Sequence, residues 1–217
     1  MHRRCPILTV DPWKPQSSAI AAAAEVIRRG GLVVFPTRCL YGLAARAMDA
    51  AAVEKVFAAK NRSERKPVSI LIPERAALDM LVASVTAEAR GLMDRFWPGQ
   101  LTLVFRDAGR LPDVLTAGSG KIGIRLPWHP VARDLVLAVG EPITATSANI
   151  SGQPGARDIQ DLSPSVAAAA DIILDAGRLE SCSGSTVVDV VESPVRILRE
   201  GVIASGEIQE ASTGASP

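Results

Sequence analysis

Two short segments of this 217-residue chain carry residue types that can do chemistry together. Lys60-Asn61-Arg62 offers two cations one residue apart. About eighty residues later, Thr146-Ser147-Ala148-Asn149-Ile150-Ser151-Gly152 offers hydroxyl and amide groups on a glycine-ended turn. Cations at fixed spacing suit a polyanion, because a charge-assisted hydrogen bond contributes about 1.5–3 kcal/mol when partly desolvated. Each segment also has a plain structural reading. Basic residues after a helix favour the negative end of its dipole, and hydroxyl and amide side chains commonly make caps and turns. Lys60 to Pro67 holds four cations against one acid, Glu64, which is denser than a helix end requires. No G-x-x-x-x-G-K-[ST] run occurs, so a phosphate site here is not a Walker loop.

Other groups fall near strand ends, where open α/β sheets place ligands. Thr37, Tyr41 and Gly42 follow the apolar run Leu32–Phe35. Arg125 interrupts the apolar Ile124-Arg125-Leu126-Pro127 and must find a partner: a cleft anion, or an internal acid such as Asp175 or Asp189. Ser185-Thr186 and Arg199-Glu200-Gly201 end two late strands. A Cys39–His129 hydrolase pair is rejected, since His129 precedes Pro130 at a helix start and nothing beside Cys39 marks a nucleophile.

The elements that must position these groups alternate along the chain. Ser17 and Ser18 precede an alanine-rich helix, 19–29, ended by Gly30-Gly31. Asp49 caps a second helix, 50–59. Helical periodicity covers 74–82 and 86–96, and Pro130 opens a helix over 130–139. A short helix follows at 163–170. Strands are expected at 32–35, 68–72, 101–105, 122–126, 143–145, 172–174, 185–191 and 195–198. Interleaving without a dividing linker predicts one α/β domain over 17–205, with an N-terminal extension (1–16) and a polar C-terminal tail (206–217) frayed from Ser212. Some connections are too short for parallel crossovers, so the sheet is mixed.

Bulk properties limit the function. Apolar residues make up 47% of the chain, which excludes disorder, and no run is long enough to span a membrane. Formal net charge is +1, so any positive patch is local rather than an extended nucleic-acid face. The apolar stretch Pro6–Val10 is too short for a signal-peptide core. Three cysteines (Cys5, Cys39, Cys182), widely spaced, predict neither a disulfide framework nor a zinc site and fit a reducing cytoplasm.

Taken in order, the segments resemble the YrdC/Sua5 family of threonylcarbamoyl-AMP synthases from about Ile20 to Val202. Phe35-Pro36-Thr37 with Tyr41-Gly42-Leu43 resembles F-P-T-x-T-x-Y-G-L. Lys60-x-Arg62 with Lys66-Pro67 resembles K-x-R…P, and Trp97-Pro98-Gly99-x-Leu101-Thr102 resembles W-P-G-P-L-T. Arg125-Leu126-Pro127-x-His129 resembles R-x-P-x-H, and Thr146–Gly152 contains S-A-N-x-S-G. Ser185–Asp189 is similar to S-T-V-V-D, and Leu198–Gly201 to L-R-x-G. The chain departs at Arg38 and Cys39, where the family usually has an acid and then threonine. The histidine that two-domain members carry after K-x-R…P is Leu71 here, and little chain follows Gly201, as in the short, single-domain form.

The resemblance implies a YrdC-like twisted open mixed sheet flanked by helices, with a concave, positively lined cavity. It implies a nucleotidyltransferase that converts L-threonine, bicarbonate and ATP, with Mg²⁺, into threonylcarbamoyl-AMP and pyrophosphate in the cytoplasm. A separate transferase then passes the threonylcarbamoyl group to tRNA. Lys60, Arg62, Ser147 and Asn149 are the implied catalytic residues. Lys60, Arg62, Thr116, Ser147, Asn149 and Arg199 are the implied ATP ligands, and Thr37, Arg125 and Ser185 the implied threonine ligands. No protein-held metal is implied. The alternatives are a diverged relative that binds RNA as a module, or one that carbamoylates another acceptor. Balanced charge and few aromatics weigh against the RNA surface, and the carbamoyltransferases' usual acylphosphatase and zinc-finger modules do not fit in this chain.

Overall fold

The computed structural model describes residues 5–63 and 65–213. Its strands are β1 Ile7–Thr9, β2 Val33–Pro36, β3 Tyr41–Ala44, β4 Ile70–Leu71, β5 Leu101–Arg106, β6 Lys121–Arg125, β7 Ile143–Thr144, β8 Thr146–Ser147, β9 Ile172–Asp175, β10 Thr186–Asp189 and β11 Arg196–Arg199. The helices are α1 Ser17–Arg28, α2 Ala50–Ala59, α3 Leu78–Leu81, α4 Ala87–Phe96, α5 Asp113–Thr116, α6 Pro130–Val139, α7 Pro164–Ala169 and α8 Ser205–Thr213. No helix among the described residues is long and apolar enough to cross a membrane.

Local chemistry explains the best-formed helices. The Asp49 carboxylate accepts hydrogen bonds from the backbone N–H groups of Ala51 (3.0 Å) and Ala52 (3.2 Å), satisfying otherwise unpaired donors of α2. Pro130 stands in the first turn of α6, and Gly140 ends it in the left-handed region at φ 80°. Helix α1 buries Ala19, Ile20, Ala23, Ala24 and Ile27, a stripe of mostly small side chains that lies against α6 and the first sheet. Its cap is Gln16 rather than a serine, so Ser17 and Ser18 lie inside the first turn.

The mixed α/β architecture stands, but the expected single sheet is two. One has the order β1-β9-β2-β3-β8 and the other β11-β10-β5-β6-β4-β7. Both are mixed: β1, β9 and β2 are parallel while β2 and β3 are antiparallel, and β10–β5 and β4–β6 are parallel while β5–β6 is antiparallel. The two are linked at an isolated antiparallel bridge, Arg46 opposite Ile143, beside the buried side chain of Thr144. Its Oγ1 accepts from the Ala45 N–H (2.9 Å) and donates to the Leu43 carbonyl (3.2 Å), while its own N–H donates to the Ala45 carbonyl (2.9 Å). A hydroxyl thus takes up two backbone groups that a continued ladder would have paired.

Both flanking segments contribute elements. β1 pairs in register with β9, Leu8 opposite Leu174, and α8 buries Ile208 completely in the core of the second sheet. The apolar partner, not the polar composition of the tail, decides whether this short helix forms. Residues 74–82 are not one helix: a 3-10 turn, Arg75–Ala77, runs into the four-residue α3, and the Arg75 guanidinium reaches Asp94 (2.6 Å) and the Met93 carbonyl (2.5 Å).

The cysteine expectation is overturned. Cys39 and Cys182, 143 residues apart, form a disulfide with a Cα–Cα distance of 5.4 Å; Cys5 is free. Spacing along the chain carried no sign of it, because the fold alone brings the two loops together.

Candidate functional site

A cavity of about 300 Å³ lies between the two sheets. Its walls come from β2, β3 and the loop between them, the Arg62 and Pro67–Ser69 segment, β5, β6, the β7–β8 turn, and the Gly184–Ser185 approach to β10 with Arg199 from β11. Three guanidinium groups (Arg62, Arg125, Arg199) line it beside the hydroxyls of Thr37, Ser69, Thr102, Thr146, Ser147 and Ser185, and among the described residues no Asp or Glu lines it. That donor set suits an anion.

Arg125, at the end of β6, makes no side-chain hydrogen bond or ion pair with any described residue and faces the cavity. Burial pushes its guanidinium down to about 10, and the nearby charge of Arg199 adds to that. The internal acids that might have held it are engaged elsewhere. Asp175 accepts from the Tyr41 hydroxyl (3.2 Å) and the Gly177 N–H (2.8 Å), and Asp189 accepts from Lys121 (2.8 Å). A half-buried cation beside a second cation, with no carboxylate paired to it among the described residues, calls for an anionic ligand.

Arg199 is held in place by the chain it faces. Its Nε and Nη2 donate to the Ser185 carbonyl (3.2 and 2.8 Å) and Nη2 also to Ser185 Oγ (3.1 Å), which in turn pairs with Thr102 Oγ1 at 2.9 Å. Thr186 Oγ1 accepts from the N–H groups of Gly201 (2.9 Å) and Ile203 (3.1 Å), closing the two late motifs on each other. Only glycine fits at 201, because a Cβ there would collide with the Gly184 carbonyl. Thr37 turns its Oγ1 onto the Leu40 carbonyl (2.7 Å), which shapes the loop at the cavity edge.

The two segments read first from the sequence do meet, but not as two faces of a grip. Lys60 is 1% exposed rather than on an open loop, and it does not line the cavity. Its ammonium donates to the carbonyls of Ser147 and Asn149 (2.7 Å for the latter) and to Asn149 Oδ1 (3.3 Å), while the Lys60 carbonyl accepts from the Ser151 N–H (2.9 Å). Burial, then the charge of Arg62, pulls Lys60 down to about 8. Asn149 is equally committed. Its Nδ2 donates to the carbonyls of Ile150 (2.9 Å) and Gln153 (2.5 Å), and its Oδ1 accepts from Ser147 Oγ. Of these residues Ser147 and Arg62 reach the cavity wall. Arg62 itself is braced by the carbonyls of Lys66 (3.0 Å) and Pro67 (2.8 Å), and burial lowers its pKa. Thr116 is 2% exposed, donates to the Asp113 carbonyl (3.2 Å) and lies outside the cavity lining.

The structure therefore brings Thr37, Arg62, Arg125, Ser147, Ser185 and Arg199 to one cavity and sets Lys60, Asn149 and Thr116 behind its walls. Sequence reasoning passed over Ser69, Gln100 and Thr146 as lining groups; each lies in or beside a segment it had singled out, yet no pattern distinguished them from turn residues. Arg38 and Cys39 face the loop before Ser185. Arg38 lies over the Trp128 ring (5.7 Å) and pairs with Glu180 (3.1 Å).

Comparison with known proteins bears on the same segments. Residues 25–201 match the Sua5/YciO/YrdC family model, whose description reads "Telomere recombination". The chain is 37% identical over 201 residues to a threonylcarbamoyl-AMP synthase of Pyrococcus abyssi, covering 93% of this chain and 58% of that one. It is 38% identical over 200 residues to a putative threonylcarbamoyl-AMP synthase of Mycobacterium tuberculosis, covering 92% and 91%. The crystal structure of P. abyssi Sua5 complexed with L-threonine superposes with a TM-score of 0.87 at 37% identity, over 94% of this chain and 60% of the other. With the family's ordered motifs gathered around one cavity, the chain belongs to the Sua5/YciO/YrdC family.

Proposed function

We propose that the protein is a threonylcarbamoyl-AMP synthase, a nucleotidyltransferase that makes threonylcarbamoyl-adenylate and pyrophosphate from L-threonine, bicarbonate and ATP. The observation that carries the reading is the cavity's charge pattern: the unpaired guanidinium of Arg125 stands with Arg62 and Arg199, and among the described residues no lining carboxylate offsets them. Relatives that bear this activity in their names, and a Sua5 structure complexed with L-threonine, support it.

In this reading the threonine amine and bicarbonate condense to a carbamate with loss of water, and a carbamate oxygen attacks the α-phosphorus of ATP as pyrophosphate leaves. Anions must approach one another, so the site's task is to offset their repulsion and the charge developing on pyrophosphate. Arg125 takes the threonine carboxylate through its planar fork, with Thr37 and Ser185 beside it. Arg62 and Arg199 take phosphate oxygens, and Ser147 donates to a carbamate or phosphate oxygen. Lys60 and Asn149 act through the turn, holding Ser147 where it can reach. With no carboxylate on the wall among the described residues, Mg²⁺ fits as the counter-ion that ATP brings on its phosphates rather than as a protein-held metal. No covalent intermediate on the protein is needed; positioning and fixed charge supply the catalysis.

A cytoplasmic setting follows from substrates found there, and a separate transferase would carry the threonylcarbamoyl group to tRNA. The test is pyrophosphate release measured with each substrate omitted in turn, with threonylcarbamoyl-AMP identified by mass. Release should require threonine, bicarbonate and ATP together. Release indifferent to threonine, or folded protein with no turnover, would remove the reading.

A further inference from the structure

Cys39 lines the cavity, and Cys182, bonded to it, lies two residues before the lining Gly184 and Ser185. Cys39 belongs to the loop between β2 and β3, which also carries Thr37 and Leu40 into the cavity wall, and Cys182 to the irregular stretch that leads through Gly184 to Ser185. The disulfide between them is one of two cross-links joining the same loops; the other is the Arg38–Glu180 ion pair at 3.1 Å. Gln100 reinforces the joint, its Nε2 donating to Cys39 Sγ (3.5 Å) and its Oε1 accepting from Arg38 (3.4 Å). Neither loop has strand or helix pairing to hold it across this gap. Cys39 is buried, whereas Cys182 is partly exposed between the exposed Ser181 and Ser183, so Cys182 is the more accessible of the pair to an attacking thiolate.

We propose that Cys39 and Cys182 form a reversible redox latch that orders the two loops at the cavity mouth. Oxidation joins the thiols, releasing two protons and two electrons; a low-molecular-weight disulfide accepts them and becomes two thiols. Reduction by a small thiol reverses the step through a mixed disulfide at Cys182. Closed, the latch fixes Thr37 relative to Ser185 before any ligand arrives, so binding no longer bears the entropy of ordering both loops. The consequence for threonine rests on the function proposed above; the ordering of the loops does not.

The experiment equilibrates the full chain in buffers spanning reduced to oxidised glutathione. It reads the thiols by alkylation and peptide mass, the loops by hydrogen exchange, and L-threonine binding by calorimetry. In the oxidised protein Cys39 and Cys182 should appear as one linked peptide, with Cys5 alkylated in both states. Reduction under native conditions should speed exchange in 37–43 and 179–186 by about tenfold and weaken threonine binding by about three- to tenfold. Cys182→Ser should behave as the reduced protein in every buffer. The latch is overturned by a linked peptide that never forms in excess oxidised glutathione, by one that native protein will not release to reduced glutathione, or by exchange rates equal in both states. Redox-dependent exchange with no threonine binding in either state leaves the latch and counts against the proposed function instead.

Discussion

Arg125 shows what one side chain can reveal when its surroundings withhold a partner. A half-buried guanidinium lowered to about 10 by burial and by Arg199 destabilises the empty protein and is satisfied by an anion. Arg125→Gln should therefore raise the KM for threonine by about 100-fold, the equivalent of two lost charge-assisted bonds at about 1.4 kcal/mol each. It should leave the Tm unchanged or higher, since it removes an uncompensated charge. A fall in Tm with an unaltered KM would mean that Arg125 serves the fold instead. His129 makes a second case. It is 5% exposed, its Nδ1 has no partner, and burial pushes it down to about 4 despite the opposing pull of Glu180. Above pH 6.5 the ring is neutral folded or unfolded, so it has no effect on stability. As pH falls from 6.5 towards 4, the unfolded chain takes up a proton that the folded chain refuses, and stability drops by up to about 3 kcal/mol. Urea titrations across that range should show the loss, and His129→Gln should flatten it.

At the scale of elements, the C-terminus of α2 and the turn after β8 behave as one piece because Lys60 belongs to both. Lys60→Met keeps the buried stem but leaves the Asn149 carbonyl without a donor, at about 1–3 kcal/mol, and the Ser147 carbonyl with only the Asn149 N–H (3.0 Å). The expected result is a protein destabilised by about 1–3 kcal/mol whose kcat falls because Ser147 has lost its position, although Lys60 touches no substrate. Full activity in a protein of lowered Tm would separate the turn from catalysis. The same elements mark how far the sequence could be read. Asp49 before an apolar stripe and Pro130 with Gly140 bounding another set α2 and α6 by local chemistry, and local chemistry is legible. β3 was hidden, because Tyr41–Ala44 is buried throughout and so shows no alternation. β8 is two residues long, too short for any period, whereas the equally short β4 falls inside the strand expected at 68–72. The cavity set was half legible: residue types announced Arg62, Arg125, Ser147, Ser185 and Arg199. Which of Lys60, Asn149 and Thr116 face inward depends on tertiary packing that no spacing encodes. Arg38 and Cys39, the departures in the opening motif, meet Gln100 from a distant segment at one corner of the mouth.

For the whole molecule, the decisive fact is that the cavity belongs to neither sheet. Thr37 and Ser147 hang from the first, Arg125, Ser185 and Arg199 from the second, and the hydroxyl of Thr144 joins the two where their backbones part. The apolar cluster beneath α1 and α6 takes Val33, Phe35 and Ala44 from the first sheet and Leu71 and Ile143 from the second, so the relative placement of the two is held by that shared packing, by the joint, and by whatever the cavity binds. A ligand that bridges them should stabilise the protein as a unit. At a hundred times its Kd, L-threonine contributes about 2.7 kcal/mol to a protein that binds it only when folded. The Tm should rise accordingly within a single transition. Hydrogen exchange should slow together in β3 and β8 of the first sheet and in β10 and β11 of the second. Protection confined to one sheet would place threonine on one wall and deny the cavity its bridging role. Protection in both that vanishes in Arg125→Gln would tie the coupling to the one cavity-lining cation that the fold leaves without a partner among the described residues.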